Sequence, residues 1–233
     1  MTLGDIRTRV ARAVGLSATV TADTDLIDAW ANEAVIQFLK DTKIDIAKAA
    51  MSVTANSSDY TLDSDILAFQ DIWYEPAGGS DALLEQVDSS EIENMRLRAN
   101  TSGSYPRYYA LEGAHLLMLY PAPQSNSDLV HIKYVPRPSA SMTATSHSPS
   151  DATRGNIPAE FHPFIEAYVK WKAGEAEEHK PSDIGMKWQA EYERGVAKVK
   201  SDLNRKAGIH KGKMRVGPFR VWPPTPGTDV KVY

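Results

Sequence analysis

Tyr105-Pro106-Arg107-Tyr108-Tyr109, Leu116-Leu117-Met118-Leu119-Tyr120-Pro121-Ala122-Pro123 and Leu129-Val130-His131-Ile132-Lys133-Tyr134-Val135-Pro136-Arg137-Pro138 follow one another as three short aromatic and β-branched runs. Pro, Gly, Asn and Ser bound each run, and Glu112-Gly113 supplies a tight turn between the first two. Runs of this kind with this punctuation read as strands of a meander. Proline cannot donate to a ladder, so Pro106, Pro121, Pro123, Pro136 and Pro138 mark strand ends and edges.

Upstream of the meander the period remains short. Met51-Ser52-Val53-Thr54-Ala55 alternates, and Phe69-Gln70-Asp71-Ile72-Trp73-Tyr74-Glu75 reads as a strand. Ala77-Gly78-Gly79-Ser80 is a hairpin-type turn, with Leu83-Leu84-Glu85-Gln86-Val87 as the returning strand. Ser90 and Glu93 form a capping box for a short helix ending near Ala99.

Helical spacing brackets this block on both sides. Leu3, Ile6, Val10 and Val14 lie on one face of a first helix over residues 2–14, with Thr2 and Asp5 as its capping box and Gly15 as its stop. A second helix starts at Asp23 or Thr24 and lines up Leu26, Ile27, Trp30, Ala34 and Phe38. A third begins at Pro158, with Phe161, Ile165, Tyr168 and Trp171 on one face. A fourth follows Pro181-Ser182-Asp183 and carries Ile184, Trp188, Tyr192, Val196, Val199 and Leu203. Such helices are marginal alone in water, so their apolar faces need one another.

The expected fold is therefore α+β: a four-helix bundle with an antiparallel β-module inserted between helices two and three, plus an extended C-terminal arm. The helical part is residues 1–48 and 157–208, and the module is 49–141. Residues 142–156, rich in Ser, Thr and Ala, read as a flexible linker. Residues 209–233 read as an extended docking arm, because four prolines between Pro218 and Pro226 forbid a helix there. Arg215, Phe219, Arg220, Val221, Trp222 and Tyr233 are its candidate contact residues.

The chain has 233 residues, 42% of them hydrophobic, which suffices for a real core. No apolar run is long enough to span a membrane, and the N-terminus lacks the apolar stretch of a secretion signal. There are no cysteines, so disulfides, thiolate metal sites and cysteine nucleophiles are out, and assembly in a reducing cytoplasm is expected. The net charge is −4 and unevenly placed: from Arg205 onward seven basic residues face Asp229 alone, so that segment carries +6 and the remainder −10. A basic tail on an acidic body points to a nucleic-acid contact or an acidic partner; the alternative is a solvated terminus.

Catalytic motifs are missing. The sequence holds no phosphate loop, no Gly-x-Ser-x-Gly elbow and no histidine pair at metal-ligand spacing. Glu175 and His179 can meet across one helical turn, and Glu177-Glu178 reads as a solvated face. Asp59, Asp63 and Asp65 crowd one loop, but the Gly and distal Glu of a calcium loop are lacking. Tyr105, Tyr108, Tyr109, Tyr120 and Tyr134, near Arg107 and Lys133, fit either a base-stacking platform or cross-strand packing, and strands favour the latter. No cofactor and no metal is expected.

Taken in order, four pieces resemble the head–tail adaptor (connector, or head-completion) proteins of tailed bacteriophages. They are Ala29-Trp30-Ala31-Asn32-Glu33-Ala34, Tyr60-Thr61-Leu62-Asp63-Ser64-Asp65-Ile66-Leu67, the Pro106–Pro138 strands, and Ile157-Pro158-Ala159-Glu160-Phe161-His162. The resemblance covers roughly residues 3–205 and implies a non-enzymatic virion subunit at the head–tail interface. It implies a homo-oligomeric ring, usually of twelve copies, whose partners are the portal protein and tail or nozzle proteins. Double-stranded DNA would pass through without sequence-specific contact, and an acidic body suits such a channel. The alternatives are a tail-tube or tail-terminator protein, or a nucleic-acid-binding accessory protein using the basic arm.

Overall fold

The computed structural model describes residues 1–98, 105–113, 115–178 and 183–206. Its first helix, α1 (Leu3–Val14), begins at the capping box read from the sequence: the Thr2 hydroxyl accepts from Asp5 N at 3.3 Å, and the Asp5 carboxylate accepts from Thr2 N at 2.8 Å. Gly15 ends the helix at φ 80°, and its N–H donates to Ala11 O. The next helix, α2 (Thr21–Thr42), starts two residues before Asp23 and has no side-chain cap. Asp23 instead accepts the Ser17 N–H at 2.7 Å, so it braces the preceding turn. Lys43, at φ 52°, closes α2.

After the β-strands a 3₁₀ turn, Ala159–Phe161, follows Pro158 and runs into α4 (His162–Glu178). The last described helix is α5 (Asp183–Lys206). Leu3, Ile6 and Val10 of α1, Ile27, Ala31 and Phe38 of α2, Ile165 and Val169 of α4, and Tyr192 and Val199 of α5 are buried in one continuous core. Each large apolar side chain sealed there contributes about 1.5–3 kcal/mol. Gly195 of α5 lies beneath the Phe164 ring, where a Cβ would approach to 2.3 Å; glycine is what lets α4 and α5 come this close.

Among the described residues the strands form two four-stranded sheets. One has the order β1 (Ala47–Ser52), β8 (Leu129–Pro136), β3 (Ile66–Glu75) and β4 (Ala82–Leu83). The other has β2 (Asp59–Thr61), β7 (Leu116–Tyr120), β6 (Tyr108–Glu112) and β5 (Glu85–Gln86). Between them Ile72, Tyr74, Val130 and Ile132 pack on Leu117, Leu119 and Tyr109. The short α3 (Ser89–Arg98) covers the outer face of β6 and β7 through Ile92, Ala110 and Met118.

Two expectations about the module need correction. The strand expected over residues 83–87 is split, because Leu83 pairs with Trp73 in the first sheet, whereas Glu85 and Gln86 pair with Tyr108 and Tyr109 in the second. Buried Leu84 is the crossing point: its N–H donates to Ile72 O, and the next N–H, of Glu85, donates to Arg107 O. The β5–β6 pair is parallel, so the module is not antiparallel throughout. Among the described residues the protein is α+β, with five α-helices and two sheets.

Residues 142–156, expected as a flexible linker, form hydrogen-bonded turns laid against α1 and α2. The carbonyls of His147 and Thr145 accept the Leu3 and Gly4 N–H groups, two donors that the first turn of a helix leaves unpaired. Asn32 of α2 grips Met142 from both sides, accepting its N–H at 2.7 Å and donating to its carbonyl at 3.1 Å. Met142 is buried. Gly155, at φ 125°, sits where a Cβ would fall 2.7 Å from Val35.

Candidate assembly surfaces

The helices are locked by polar bonds as well as by packing. Tyr168 donates to Glu33 and Tyr192 to Asp41, both at 2.7 Å, and the two tyrosine rings meet edge-on at 5.1 Å. Burial, and then the neighbouring carboxylate, raise both phenols well above the ordinary tyrosine range, so they stay neutral donors. Arg7 makes a two-pronged ion pair with Asp28, and Lys170 binds Glu166 at 2.6 Å while lying 4.3 Å above the Trp188 ring. In the module the buried Asp128 carboxylate accepts from the Tyr74 hydroxyl and from the N–H groups of Ala77 (2.8 Å) and Ser125 (3.3 Å).

His162 is buried at the start of α4. Its Nε2 lies 3.1 Å from Ile157 O and 2.9 Å from Ser150 Oγ, while its Nδ1 has no partner among the described residues. The Ile157 carbonyl can only accept, so this contact assigns the ring proton to Nε2. Burial, with a smaller contribution from the positively charged N-terminus, lowers the pKa of the imidazole and outweighs the backbone carbonyls of Ile157 and Met1, which favour the charged form.

Three large apolar side chains of the module are left in solvent. Leu97 is 86% exposed, Leu83 72% and Tyr105 55%. Leu83 pairs with Trp73, while the Tyr105 ring lies 6.0 Å from that of the adjacent Tyr74. Leu26 and Met186 are exposed on the helices, and Val20 just before α2.

Two clefts flank β1. One, of about 650 Å3, lies where the C-terminal ends of α2 and α5 meet the first sheet; Lys40, Lys43, Lys133 and Lys200 surround it, with Ile46 and Leu203. The other, of about 320 Å3, opens between the two sheets beside β1, lined by Met51, Leu62, Ile66, Ile132 and Tyr134, with Asp63 and Asp65 at its walls.

The structure distributes the residues singled out in the sequence as follows. Arg215, Phe219, Arg220, Val221, Trp222 and Tyr233 all lie outside the described residues, as does His179. Glu175 accepts the Trp171 indole N–H at 2.7 Å. Asp59 pairs with Arg96 at 2.6 Å, away from the pair Asp63 and Asp65. The tyrosines of the meander do not form a platform: Tyr109 and Tyr120 are buried, and Tyr108 faces Tyr120 across the β6–β7 pair. Among the described residues no three His, Asp or Glu side chains gather at metal-binding distance, and no helix is long and apolar enough to cross a membrane. The cleft beside β1 was not apparent from sequence, since it joins residues from β1, β8 and the 61–66 turn.

A rigid helical frame, a β-module with exposed apolar side chains and clefts between its elements is the build of a structural assembly subunit. The SU10 adaptor protein family model matches residues 1–221, and the chain belongs to that family of structural adaptors, the head–tail adaptor class that its sequence resembles. No curated protein sequence matches the chain. Among solved structures, a match is found with the neck of an empty GTA particle computed with C6 symmetry. It is 11% identical and covers 79% of this chain and 85% of that one, at a TM-score of 0.27, too low to carry an argument.

Proposed function

We propose that this adaptor is the repeating subunit of an oligomeric ring seated in the virion between the portal vertex and the tail, and that the ring is a conduit for the genome. The family match over residues 1–221 carries the reading. In this proposal α1, α2, α4 and α5 act as a four-helix bundle that gives each subunit a fixed shape, and the inserted module over 49–141 faces its neighbours or the tail. The module offers Leu83, Leu97 and Tyr105 as solvent-exposed apolar side chains for such a contact. The ring has twelve copies, closes through a head-to-tail interface, and assembles in the host cytoplasm. Double-stranded DNA passes without sequence-specific contact, and the subunit catalyses no reaction.

The portal is engaged by the C-terminal arm, residues 209–233, through Arg215, Phe219, Arg220, Val221, Trp222 and Tyr233. An extended, proline-rich segment loses little entropy on docking, and its aromatic and basic residues are the types that anchor interfaces. Capture of the portal by tagged full-length chain and by a chain ending at Gly208 tests this. Capture should fall at least tenfold on truncation; undiminished capture removes the arm from the interface.

A further inference from the structure

Between β3 and β4 the chain turns at Pro76, where the Gly79 N–H donates to Pro76 O and Gly78 sits at φ 75°. Every residue from Ala77 to Leu83 is exposed. This hairpin joins one large apolar side chain to negative charge: Leu83 is 72% exposed, and Asp81 and Glu85 stand in solvent on either side of it. From Glu75 to Met95 the chain carries six carboxylates and no Lys or Arg.

The cleft at the C-terminal ends of α2 and α5 has the opposite character. Lys40, Lys43, Lys133 and Lys200 surround it against one carboxylate, Asp41, which already accepts from the Tyr192 hydroxyl. Lys133 reaches Asp71 at 3.5 Å. Among the described residues Lys40, Lys43 and Lys200 have no ion pair, and neither do Asp81 and Glu85. Ile46 and Leu203 give the cleft apolar walls, and Ile46 is 40% exposed. Unpaired cations around an apolar wall are complemented by carboxylates beside an apolar side chain, and Asp81-Ala82-Leu83 carries both. The cleft, about 650 Å3, has room for the tip of a hairpin.

A subunit cannot fill its own cleft. Leu83 lies on β4 and Ile46 leads into β1, and these strands are the two edges of the first sheet. Three strand spacings separate the edges by about 14 Å. Along the strands, Leu83 is level with Trp73, His131 and Ala50, and Ala50 is four residues from Ile46. That adds about 13 Å in the second direction. Hairpin and cleft therefore occupy opposite corners of one sheet and meet only between copies. Two different patches that fit each other make a head-to-tail contact, the kind that generates rings.

We propose that the β3–β4 hairpin of one subunit seats in the lysine-lined cleft of the next, with Leu83 against Ile46 and Leu203 and with Asp81 among the lysines. The proposal rests on the ring reading above and supplies its subunit contact. Leu83 is the anchor, since a large side chain that leaves water on docking carries most of such a contact. The charges select the partner surface and its orientation, and salt weakens them because they lie at the rim. Each subunit gives one hairpin and receives one, so every copy in a closed ring is satisfied in the same way.

The chain has no cysteine, so a short bis-maleimide reports introduced thiols alone. Ser80 on the hairpin and Asn204 at the cleft are exposed and leave the proposed contacts intact. Full-length chain carrying Ser80→Cys and Asn204→Cys is mixed with its portal ring, crosslinked and run on a denaturing gel, with negative-stain images of the same sample. The pair should give a ladder extending past the dimer, neither single substitution should, and rings should stand on the portal. Adding Leu83→Asp to the pair should cut the ladder about tenfold. Raising the salt should lower its yield, less steeply with Asp81→Asn. Rings without a ladder keep the ring reading and overturn this contact, leaving the cleft to a portal or tail segment. A ladder without rings on the portal keeps the contact and removes the seat assigned to the ring. Crosslinking that stops at the dimer overturns the head-to-tail order, and neither ladder nor rings overturns both.

Discussion

The helical and β regions spend their apolar side chains differently. Around α1, α2, α4 and α5 a continuous set of large side chains is sealed, with Leu26 and Met186 about half exposed at its outside, and tyrosines close the core by donating to Glu33 and Asp41. The module seals the space between its sheets, yet leaves Leu83, Leu97 and Tyr105 in solvent and, among the described residues, one edge of β1 unpaired. An assembly subunit needs both behaviours: a body that keeps its shape and a surface that is completed by something else. The contrast predicts that core changes will cost stability, whereas changes on the module surface will cost assembly.

The largest effect belongs to Phe38→Ala. Phe38 is fully buried, with the Phe161 and Tyr192 rings 6.4 and 6.5 Å away, and truncation leaves a cavity among three helices. Chemical denaturation should register a loss of about 3–5 kcal/mol. Asp128→Ala comes next, since it strands the Tyr74 hydroxyl and two backbone N–H groups inside the module. The expected cost is about 2–3 kcal/mol, and a cost near zero would mean that the module has no rigid polar centre of its own.

Acid should loosen the helical region through His162. Burial holds its folded pKa below the ordinary 6.5, so between those two values the unfolded chain binds a proton that the folded chain does not. Stability is therefore lost as pH falls through about 6.5 toward the folded value. Thermal melts between pH 7.5 and 5 should show a steeper decline for the natural chain than for His162→Gln; equal slopes would remove His162 as the cause. The smallest stability change belongs to Leu83→Ser with Leu97→Ser, within about 0.5 kcal/mol for exposed sites. The same pair should reduce oligomer formation on the portal, and unimpaired assembly would show that this surface stays uncovered.

Local signals read correctly where the chemistry is local. Thr2 and Asp5 are three residues apart and cap the same turn; Gly15 ends the helix it follows. Asp23 misled because its carboxylate serves the Ser17 N–H and not the start of α2. The split at Leu84 is decided by Ile72 and Arg107, and no window around residues 83–87 contains either. Residues 142–156 look mobile by composition, yet their carbonyls complete the first turn of α1, more than a hundred residues away in sequence. The cleft beside β1 was hidden for the same reason, being assembled from three separated segments. The contact residues assigned to the arm lie beyond the described chain and stand on sequence alone.

The central proposal is that the adaptor assembles as a ring on the portal. Negative-stain electron microscopy of the full-length protein mixed with its portal ring tests it most directly. The expected image is a second ring stacked coaxially on the portal, lost when the chain ends at Gly208. Bare portal rings beside free adaptor, at concentrations where both are folded, would contradict the account.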